Sequence, residues 1–286
     1  MAVCDTCFRH CKIEEGQRGF CGARGCRDGA SVPLNYGLIS SLALDPIEKK
    51  PLRRFHPGSR VLSAGSFGCN MLCPFCQNHE ISRPDNAPGL ENLCRQVTAQ
   101  ELADTALRYR DAGNIGLAFT YNEPLVGWEF VRDTARLVKE AGMLNVVVTN
   151  GSVSTRVLEE LDPFIDAMNI DLKCFSPRVY SKTLNGDLDA VKEFITMAVK
   201  CCHVELTTLI VPGMNDSPEE MESLSGWVSQ LKGADGETVG SEIPLHVTRF
   251  FPRAGMSWKA PTPVETVRSL AGVAGRRLKY VYTGNC

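Results

Sequence analysis

Three cysteines on one short stretch are the residues of this sequence best suited to chemistry. Cys69, Cys73 and Cys76 have C-x3-C-x2-C spacing and follow a short apolar run that ends in glycines. Thiolates are the usual ligands of iron–sulfur clusters, so the spacing predicts a [4Fe–4S] cluster whose fourth iron is left open. Two other interpretations stand beside it: a zinc site with the nearby His79 as fourth ligand, or cysteines that bind no metal.

A second group of cysteines lies at the N-terminus. Cys4, Cys7, Cys11 and Cys21 have C-x2-C-x3-C-x9-C spacing, and Cys26 is the spare. Four thiolates close a coordination sphere, which predicts either a structural zinc or a fully ligated second iron–sulfur cluster. The alternative is a flexible tail of reduced cysteines.

Composition limits the classes of protein to which this chain can belong. Its 286 residues, 43% of them apolar, suffice for a sizeable core. The 31 basic and 33 acidic residues give a net charge of −2, which does not favour nucleic acid or anionic membranes as partners. The sequence has neither an apolar leader nor the ~20 apolar residues of a membrane-spanning helix. A cytoplasmic protein with reduced or metal-bound cysteines is expected.

The elements that must position these cysteines begin near residue 61, where an apolar run predicts the first strand. Further strands are predicted at 115–121, 145–150, 167–173, 203–211, 244–251 and 278–282. Helices are predicted at 100–112, 129–141, 188–201, 217–231 and 263–274. Buried strands joined by helices require a parallel sheet. The pattern predicts a partial (β/α)6 TIM-type barrel over residues 61–286, after a cysteine-rich metal-binding extension over residues 1–60.

Polar residues fall at or near the ends of four of these strands. The pairs are Asn122 and Glu123, Thr149 and Asn150, Asp171 and Lys173, and His246 and Arg249. In barrels the carboxyl ends of the strands carry the active site. Asn and Asp also favour turns and caps, but four successive strand ends with such groups favour a shared site.

The C-x3-C-x-aromatic-C pattern, with Phe75 as the aromatic residue, resembles the radical S-adenosylmethionine (SAM) superfamily. Other stretches resemble its pyruvate formate-lyase activating-enzyme-like branch: DPIEKKPL (45–52), PGSRVLSAGSFGCN (57–70), CQNHEIS (76–82), FTYNEP (119–124), TNG (149–151), DLK (171–173) and LIVPGMNDS (209–217). Within that branch the chain is most similar, nearly end to end, to the radical SAM proteins of the AmmeMemoRadiSam system.

The resemblance implies a reaction and a set of cofactor contacts. The open iron would bind the amino and carboxylate groups of SAM, and an electron from a donor such as flavodoxin or ferredoxin would cleave SAM to methionine and a 5′-deoxyadenosyl radical. By the same resemblance Phe75 packs near the adenine, and Asn122 and Glu123 contact the SAM amino group. Thr149, Asn150 and Asp171 are implied to bind SAM close to a monovalent cation. Lys173 and His246 are implied to approach the SAM carboxylate and ribose. His246 equally suits a hydrogen-bonded core histidine.

The substrate of that radical is open between three hypotheses. Resemblance to activating enzymes implies a glycyl-radical-enzyme activase, which takes a hydrogen atom from a glycine of a partner protein. The second hypothesis is a radical enzyme that modifies a small molecule or nucleoside. The third is a metal-binding scaffold without catalysis, for which a change of Glu123 to Ala would have no functional consequence.

Overall fold

Seven parallel strands that follow one another along the chain form the main sheet, in a computed structural model that describes residues 1–82 and 87–286. The strands are β1 (Ala2–Val3), β2 (Lys12–Ile13), β3 (Arg24–Arg27), β4 (Ala30–Pro33), β5 (Leu38–Ile39), β6 (Ser41–Pro46), β7 (Arg60–Gly65), β8 (Arg95–Gln96), β9 (Asn114–Phe119), β10 (Leu144–Thr149), β11 (Ala167–Asp171), β12 (His203–Ile210), β13 (Leu245–Arg249) and β14 (Val281–Gly284). The sheet order is β6, β7, β9, β10, β11, β12, β13, β14, and β6 runs antiparallel to β7. Among the described residues β6 and β14 do not pair, so the barrel is open.

Helices connect the successive parallel strands. In the described part of the chain they are α1 (His79–Ser82), α2 (Ala87–Leu90), α3 (Ala99–Arg108), α4 (Trp128–Glu140), α5 (Thr155–Leu161), α6 (Pro177–Val179), α7 (Leu188–Cys201), α8 (Pro218–Val228) and α9 (Val264–Ala274). The partial (β/α)6 barrel is confirmed, because α3, α4, α5, α7, α8 and α9 make the six connections. No helix of the described ranges combines the length and apolar content needed to cross a membrane.

Local signals place the helix ends close to their predicted positions. Thr98 caps α3: its side chain accepts from the Glu101 N–H at 3.1 Å, and the Glu101 carboxylate accepts from the Thr98 N–H at 2.7 Å. The sequence pattern does not predict α5, because seven residues hold too few turns for a helical repeat to stand out. β14 begins later than predicted, because the Leu278 N–H still bonds to the Ala274 carbonyl at the end of α9.

Alternate side chains of the parallel strands belong to two cores. The outer core, between sheet and helices, includes Leu62, Leu117, Val147, Met168 and Leu206. The inner core consists of Val61, Ala118, Val146 and Ala167 together with Ile47 and Leu52. Alternation along each strand divides the two sets. The segment of residues 47–55 therefore lies on the inner face of the open barrel.

Hydrogen bonds hold this inner segment to the sheet. Asn169 donates from Nδ2 to the Pro51 carbonyl at 2.9 Å, and the Glu205 carboxylate accepts from the N–H groups of Arg53 at 3.0 Å and Arg54 at 2.7 Å. The chain thus fills part of its own barrel. The polar residues at the carboxyl ends of the strands remain available for a site.

The N-terminal extension consists of short two-stranded ribbons, β1 with β2 and β3 with β4. β6 belongs instead to the main sheet, which the sequence pattern does not predict because its residues lack a clear alternation. The division at residue 60 stays a prediction; within the predicted extension, β6 pairs with β7 of the main sheet.

Candidate active site

The three cysteines predicted to hold a cluster lie on one loop after β7. Cys69, Cys73 and Cys76 are each half-buried, and the Cys76 N–H donates to the Cys73 carbonyl at 3.2 Å. Burial raises the pKa of the Cys69 thiol well above its ordinary value, and Glu123 and the two other cysteines raise it further. The protonated form of Cys69 is therefore favoured, and a metal bound there would have to displace its proton.

Two buried asparagines connect this loop to the end of β10. Asn150 donates from Nδ2 to Oδ1 of Asn70 at 2.9 Å, and the same nitrogen lies 3.6 Å from Sγ of Cys69. Asn70 donates from its own Nδ2 to the Ser152 carbonyl at 2.9 Å. Hydrogen bonds to ligand sulfurs tune the reduction potential of a cluster. Asn150 is placed to do so at Cys69.

Glu123 joins the ends of β9 and β10. Its side chain is buried, and Oε1 accepts from the Leu125 N–H at 3.0 Å and from the Thr149 hydroxyl at 2.8 Å, while Oε2 accepts from the Asn150 N–H at 2.7 Å. Burial raises the pKa of Glu123 to about 7, although these three hydrogen bonds oppose the shift. The carboxyl group is therefore poised to respond to a nearby charge at neutral pH.

Asn122 and Phe75 are packed into the protein. Oδ1 of Asn122 accepts from the Ser66 N–H at 3.0 Å, and its Nδ2 donates to the carbonyls of Phe67 at 3.0 Å and Gly68 at 3.1 Å. Asn122 thus holds the start of the cysteine loop against the end of β9. Phe75 is buried in the outer core. Contacts of either residue with SAM stay predictions.

Asp171 and Lys173 form an ion pair at the end of β11, with Nζ of Lys173 2.9 Å from Oδ2 of Asp171. Burial by itself lowers the pKa of Lys173, but the charges of Asp171 and Cys73 outweigh it and raise the pKa above its ordinary value. Lys173 is therefore a fixed cation beside the cysteine loop. Asn215 holds this strand end by donating from Nδ2 to the Lys173 carbonyl at 2.7 Å.

His246 has a different setting from the other predicted cofactor residues. It is buried on β13, with its ring Nε2 2.6 Å from Oε2 of Glu205 on β12 and its ring centroid 5.5 Å from that of Tyr282. Nε2 of His203 lies 3.1 Å from the other oxygen of Glu205. These contacts favour the interpretation of His246 as a core histidine, and its role toward SAM stays a prediction.

Glu205 is expected to stabilise the fold in a pH-dependent way. Burial by itself raises the pKa of Glu205, but hydrogen bonds from His203, His246 and the backbone of Arg53 and Arg54 outweigh it and lower the pKa to about 2. A lowered pKa means that the stabilisation is present above the unfolded value near 4.5 and is lost as the pH falls from there toward 2. Glu205→Gln should cost about 3 kcal/mol at pH 7 in urea unfolding, with a smaller difference at pH 3.

The matched control for this prediction is Glu242→Gln, which removes an exposed ion pair with Lys279. Such a pair contributes at most about 1 kcal/mol, so its loss should be small. An equal loss for Glu205→Gln at pH 7 and pH 3 would contradict the assignment of the stabilisation to the ionised carboxylate.

The N-terminal cysteines meet at one cavity. Cys4, Cys7, Cys11 and Cys21 all line it, together with Thr6, Arg9, Gly19, Arg24 and Val126. Cys26 lies on β3 and is not among the lining residues; its Sγ is 3.4 Å from Oε2 of Glu15. The structure thus groups the four cysteines that the spacing predicts around one cavity; Cys26 packs in the same small core as Cys4 and Cys11 but does not line that cavity.

Both cysteine sets fit metal binding by the chemistry of their donors, since soft thiolates select iron–sulfur clusters and zinc. All thirteen cysteines are described, and none of them is in a disulfide. Among the described residues no three His, Cys, Asp or Glu side chains already stand where a single ion would bind. A metal bound at either set would displace the protons of its thiols.

The sequence pattern does not single out three residues that shape these sites. Asn70 follows Cys69 directly, and this position next to a predicted metal ligand is its signal in the sequence. Arg9 donates from Nε to the Asn70 carbonyl at 2.9 Å, so it joins the N-terminal cysteines to the loop. Glu205 lies inside a predicted strand, where a lone acidic residue indicates a buried polar contact.

Comparison with known proteins agrees with this geometry. The sequence profile of the Radical SAM superfamily matches residues 65–224, more than half of the chain. An uncharacterized protein of Methanocaldococcus jannaschii, MJ0808, is 41% identical over 288 residues, which cover 99% of this chain and 80% of that protein. Pyruvate formate-lyase 1-activating enzyme of Escherichia coli strain K12 is 28% identical over 181 residues, covering 61% of this chain and 70% of the enzyme.

A solved structure of similar fold is SuiB of Streptococcus suis bound to S-adenosylmethionine. It has a TM-score of 0.56 at 14% identity and covers 76% of this chain, which spans 48% of SuiB. SuiB has also been solved bound to its precursor peptide SuiA. The profile match, the similarity to activating enzymes and three cysteines on a loop at the carboxyl edge of an open parallel barrel lead to one conclusion: this chain belongs to the radical SAM superfamily.

Proposed function

We propose that the protein reductively cleaves SAM and uses the 5′-deoxyadenosyl radical to abstract hydrogen. The observation that carries this proposal is the hydrogen-bonded path from the cysteine loop to two strand ends: Cys69 to Asn150, and Asn150 through its N–H to Glu123. The path brings the candidate cluster ligands and the predicted cofactor residues into one unit.

Cys69, Cys73 and Cys76 would hold the [4Fe–4S] cluster, which when bound supplies the electron that breaks the sulfonium bond of SAM. The charges of this chain suit the zwitterionic amino-acid part of SAM. The carboxyl groups of Glu123 and Asp171 favour its ammonium group, and the Lys173 cation favours its carboxylate. An ammonium group beside Glu123 would lower the raised pKa of that carboxyl and so favour its ionised form.

The reaction class is tested by an anaerobic assay. The protein is reconstituted with iron and sulfide, reduced with dithionite and supplied with SAM, and 5′-deoxyadenosine is quantified. We expect 5′-deoxyadenosine to form. Its absence in a protein with a complete cluster, with and without candidate substrates, would support the metal-binding scaffold instead.

The substrate that we propose is a glycine residue of a partner protein, so that the enzyme acts as a glycyl-radical-enzyme activase. The similarity to pyruvate formate-lyase activating enzymes supports this choice. The test is electron paramagnetic resonance of a candidate glycyl-radical enzyme after incubation with the reduced protein and SAM. A glycyl doublet is the expected result; 5′-deoxyadenosine formed only with a small molecule or nucleoside would favour the second hypothesis.

We also propose a docking surface for an acidic electron donor such as flavodoxin or ferredoxin. The loop of residues 250–263 after β13 contains no acidic residue. Its Trp258 is 77% exposed and its Phe251 is 46% exposed. Nearby cations lie over both rings, Lys259 at 5.1 Å from the Trp258 centroid and Arg249 at 4.8 Å from that of Phe251.

This cationic loop packs on the cysteine loop. A Cβ added at Gly255 would lie 3.4 Å from the carbonyl oxygen of Pro74, the residue that follows Cys73. A donor bound at the cationic loop would therefore deliver its electron close to the cluster. Charge complementarity is the physical basis, since opposite charges raise association rates strongly at low salt.

Reversing two charges on this loop should slow electron transfer from the donor protein without changing the rate of SAM cleavage itself. For Arg253→Glu with Lys259→Glu we expect flavodoxin-driven formation of 5′-deoxyadenosine to fall by about tenfold at low salt. The dithionite-driven rate should not change, because dithionite needs no docking. The control, Arg136→Glu with Arg268→Glu, makes the same charge change on exposed faces of α4 and α9. Equal slowing by the control pair would contradict a specific surface.

We also propose a cellular location and a family group for the protein. We place the protein in the cytoplasm, because thirteen cysteines without a disulfide suit a reducing compartment. We assign it to the AmmeMemoRadiSam group on its sequence resemblance. A second iron–sulfur cluster or zinc at the N-terminal cysteines completes the proposed cofactors.

A further inference from the structure

The N-terminal cavity is lined by four cysteines and two cations in a buried setting. Cys4, Cys7 and Cys21 are 4%, 8% and 6% exposed, and Cys11 is half-buried. Arg9 and Arg24 line the same cavity. Four thiolates around a divalent ion or a doubly charged cluster carry a net charge of about −2, which Arg9 offsets in part; Arg24 is itself paired with Glu129 at 2.7 Å.

Backbone contacts fix the chain around this cavity. β1 and β2 pair antiparallel, and the Cys4 N–H donates to the Cys11 carbonyl at 2.8 Å. A Cβ added at Gly19 would lie 3.7 Å from Cβ of Cys11 and 3.1 Å from Cδ1 of Ile13. Glycine at this position therefore avoids a side chain that would crowd the wall of the cavity. The cysteines are therefore held by a folded extension and not by a loose tail.

A buried hydroxyl group also points to a ligand. Thr6 is 1% exposed and lines the cavity, and within the described residues its Oγ1 has no hydrogen-bond partner. A buried hydroxyl without a partner costs about 1–3 kcal/mol. A metal-bound thiolate at Cys4 removes that cost.

The extension touches the cluster loop directly behind Cys69. The Cys69 N–H donates to the Cys21 carbonyl at 3.2 Å. Gly68, at φ +92°, allows this approach, since a Cβ there would lie 2.7 Å from the same carbonyl oxygen. The Arg9 guanidinium lies within electrostatic reach of Cys7, Cys11, Cys21 and also Cys69.

We infer that Cys4, Cys7, Cys11 and Cys21 hold a four-thiolate metal centre, and that this centre positions the loop of the SAM-cleaving cluster through Cys21 and Arg9. Four thiolates suit either an iron–sulfur cluster, whose thiolates bind separate irons, or a single zinc about 2.3 Å from each sulfur. The positioning part of the inference rests on the proposed function; the metal centre does not.

Metal analysis of two variants tests the centre apart from activity. With Cys69, Cys73 and Cys76 all changed to Ala, the protein should keep either about four irons and four sulfides or about one zinc per chain. Adding Cys4→Ser should remove that metal, and adding Cys26→Ser instead should leave it in place. Absence of metal in the triple variant would overturn the inference, while SAM cleavage by the wild type would stand untouched.

Positioning is tested in Cys4→Ser with the loop cysteines intact. We expect this variant to load iron on the loop but to bind SAM at least about tenfold more weakly, seen as a reduced SAM-dependent change in the electron paramagnetic resonance of the reduced cluster. Cys26→Ser should match the wild type. An unaltered SAM response after loss of the N-terminal metal would refute the positioning role and leave the metal centre itself in place.

Discussion

Cys73→Ala is expected to abolish formation of 5′-deoxyadenosine. Two remaining thiolates cannot hold a four-iron cluster durably, and residues that only support a metal ligand already affect activity by about 10–100-fold. The loss for a ligand itself should therefore exceed about a hundredfold. The measurement is 5′-deoxyadenosine released per chain in the anaerobic assay, together with iron and sulfide content after reconstitution.

The control for this variant is Cys94→Ala, which removes a half-buried thiol outside both cysteine sets. It should keep full cluster content and turnover. Turnover retained by Cys73→Ala after reconstitution would remove Cys73 from the ligand set and with it the proposed site.

Glu123→Gln is expected to weaken both the fold and SAM binding. The two carboxylate oxygens accept from the N–H groups of Leu125 and Asn150, and glutamine has only one accepting oxygen, so one buried donor loses its partner whichever way the amide turns. The cost should be about 1–3 kcal/mol in chemical unfolding of the apoprotein. Because Asn150 also contacts Asn70 and Cys69, the displaced strand end should lower SAM affinity by about tenfold or more in calorimetric titration of the reconstituted protein.

The matched control is Glu140→Gln, which makes the same substitution in an exposed pair with Arg136 on α4. Its effect should stay within about 0.5 kcal/mol, and SAM affinity should not change. If Glu123→Gln behaves like this control in both measurements, Glu123 does not organise the site.

Much of the fold could be predicted from the sequence because its signals are local. The capping box at Thr98 and Pro218 at the start of α8 identify helix ends within a few residues. Strands such as β10 are continuous apolar runs. Elements shorter than a clear period, such as α5 and β6, could not be recognised in this way.

Only part of the candidate site could be predicted from the sequence. The difference between the predicted and the unpredicted part has a physical cause. The spacing of Cys69, Cys73 and Cys76 identifies a metal loop because three ligands on one short segment need no tertiary structure to be neighbours. His246 looked equally suited to SAM and to the core, and only its contact with Glu205 favours the core. That contact joins residues on two strands, which the sequence pattern of either strand does not contain.

By itself the sequence determined the open barrel, the two cysteine sets and the strand ends at which polar residues lie, because periodicity and ligand spacing act over a few residues. Tertiary structure decided how those parts are joined. Glu123 reaches Asn150, Cys21 reaches Cys69 and residues 47–55 enter the barrel through contacts between segments far apart in the chain. Such contacts depend on how the helices and strands pack, since packing alone fixes which strand ends and loops become neighbours.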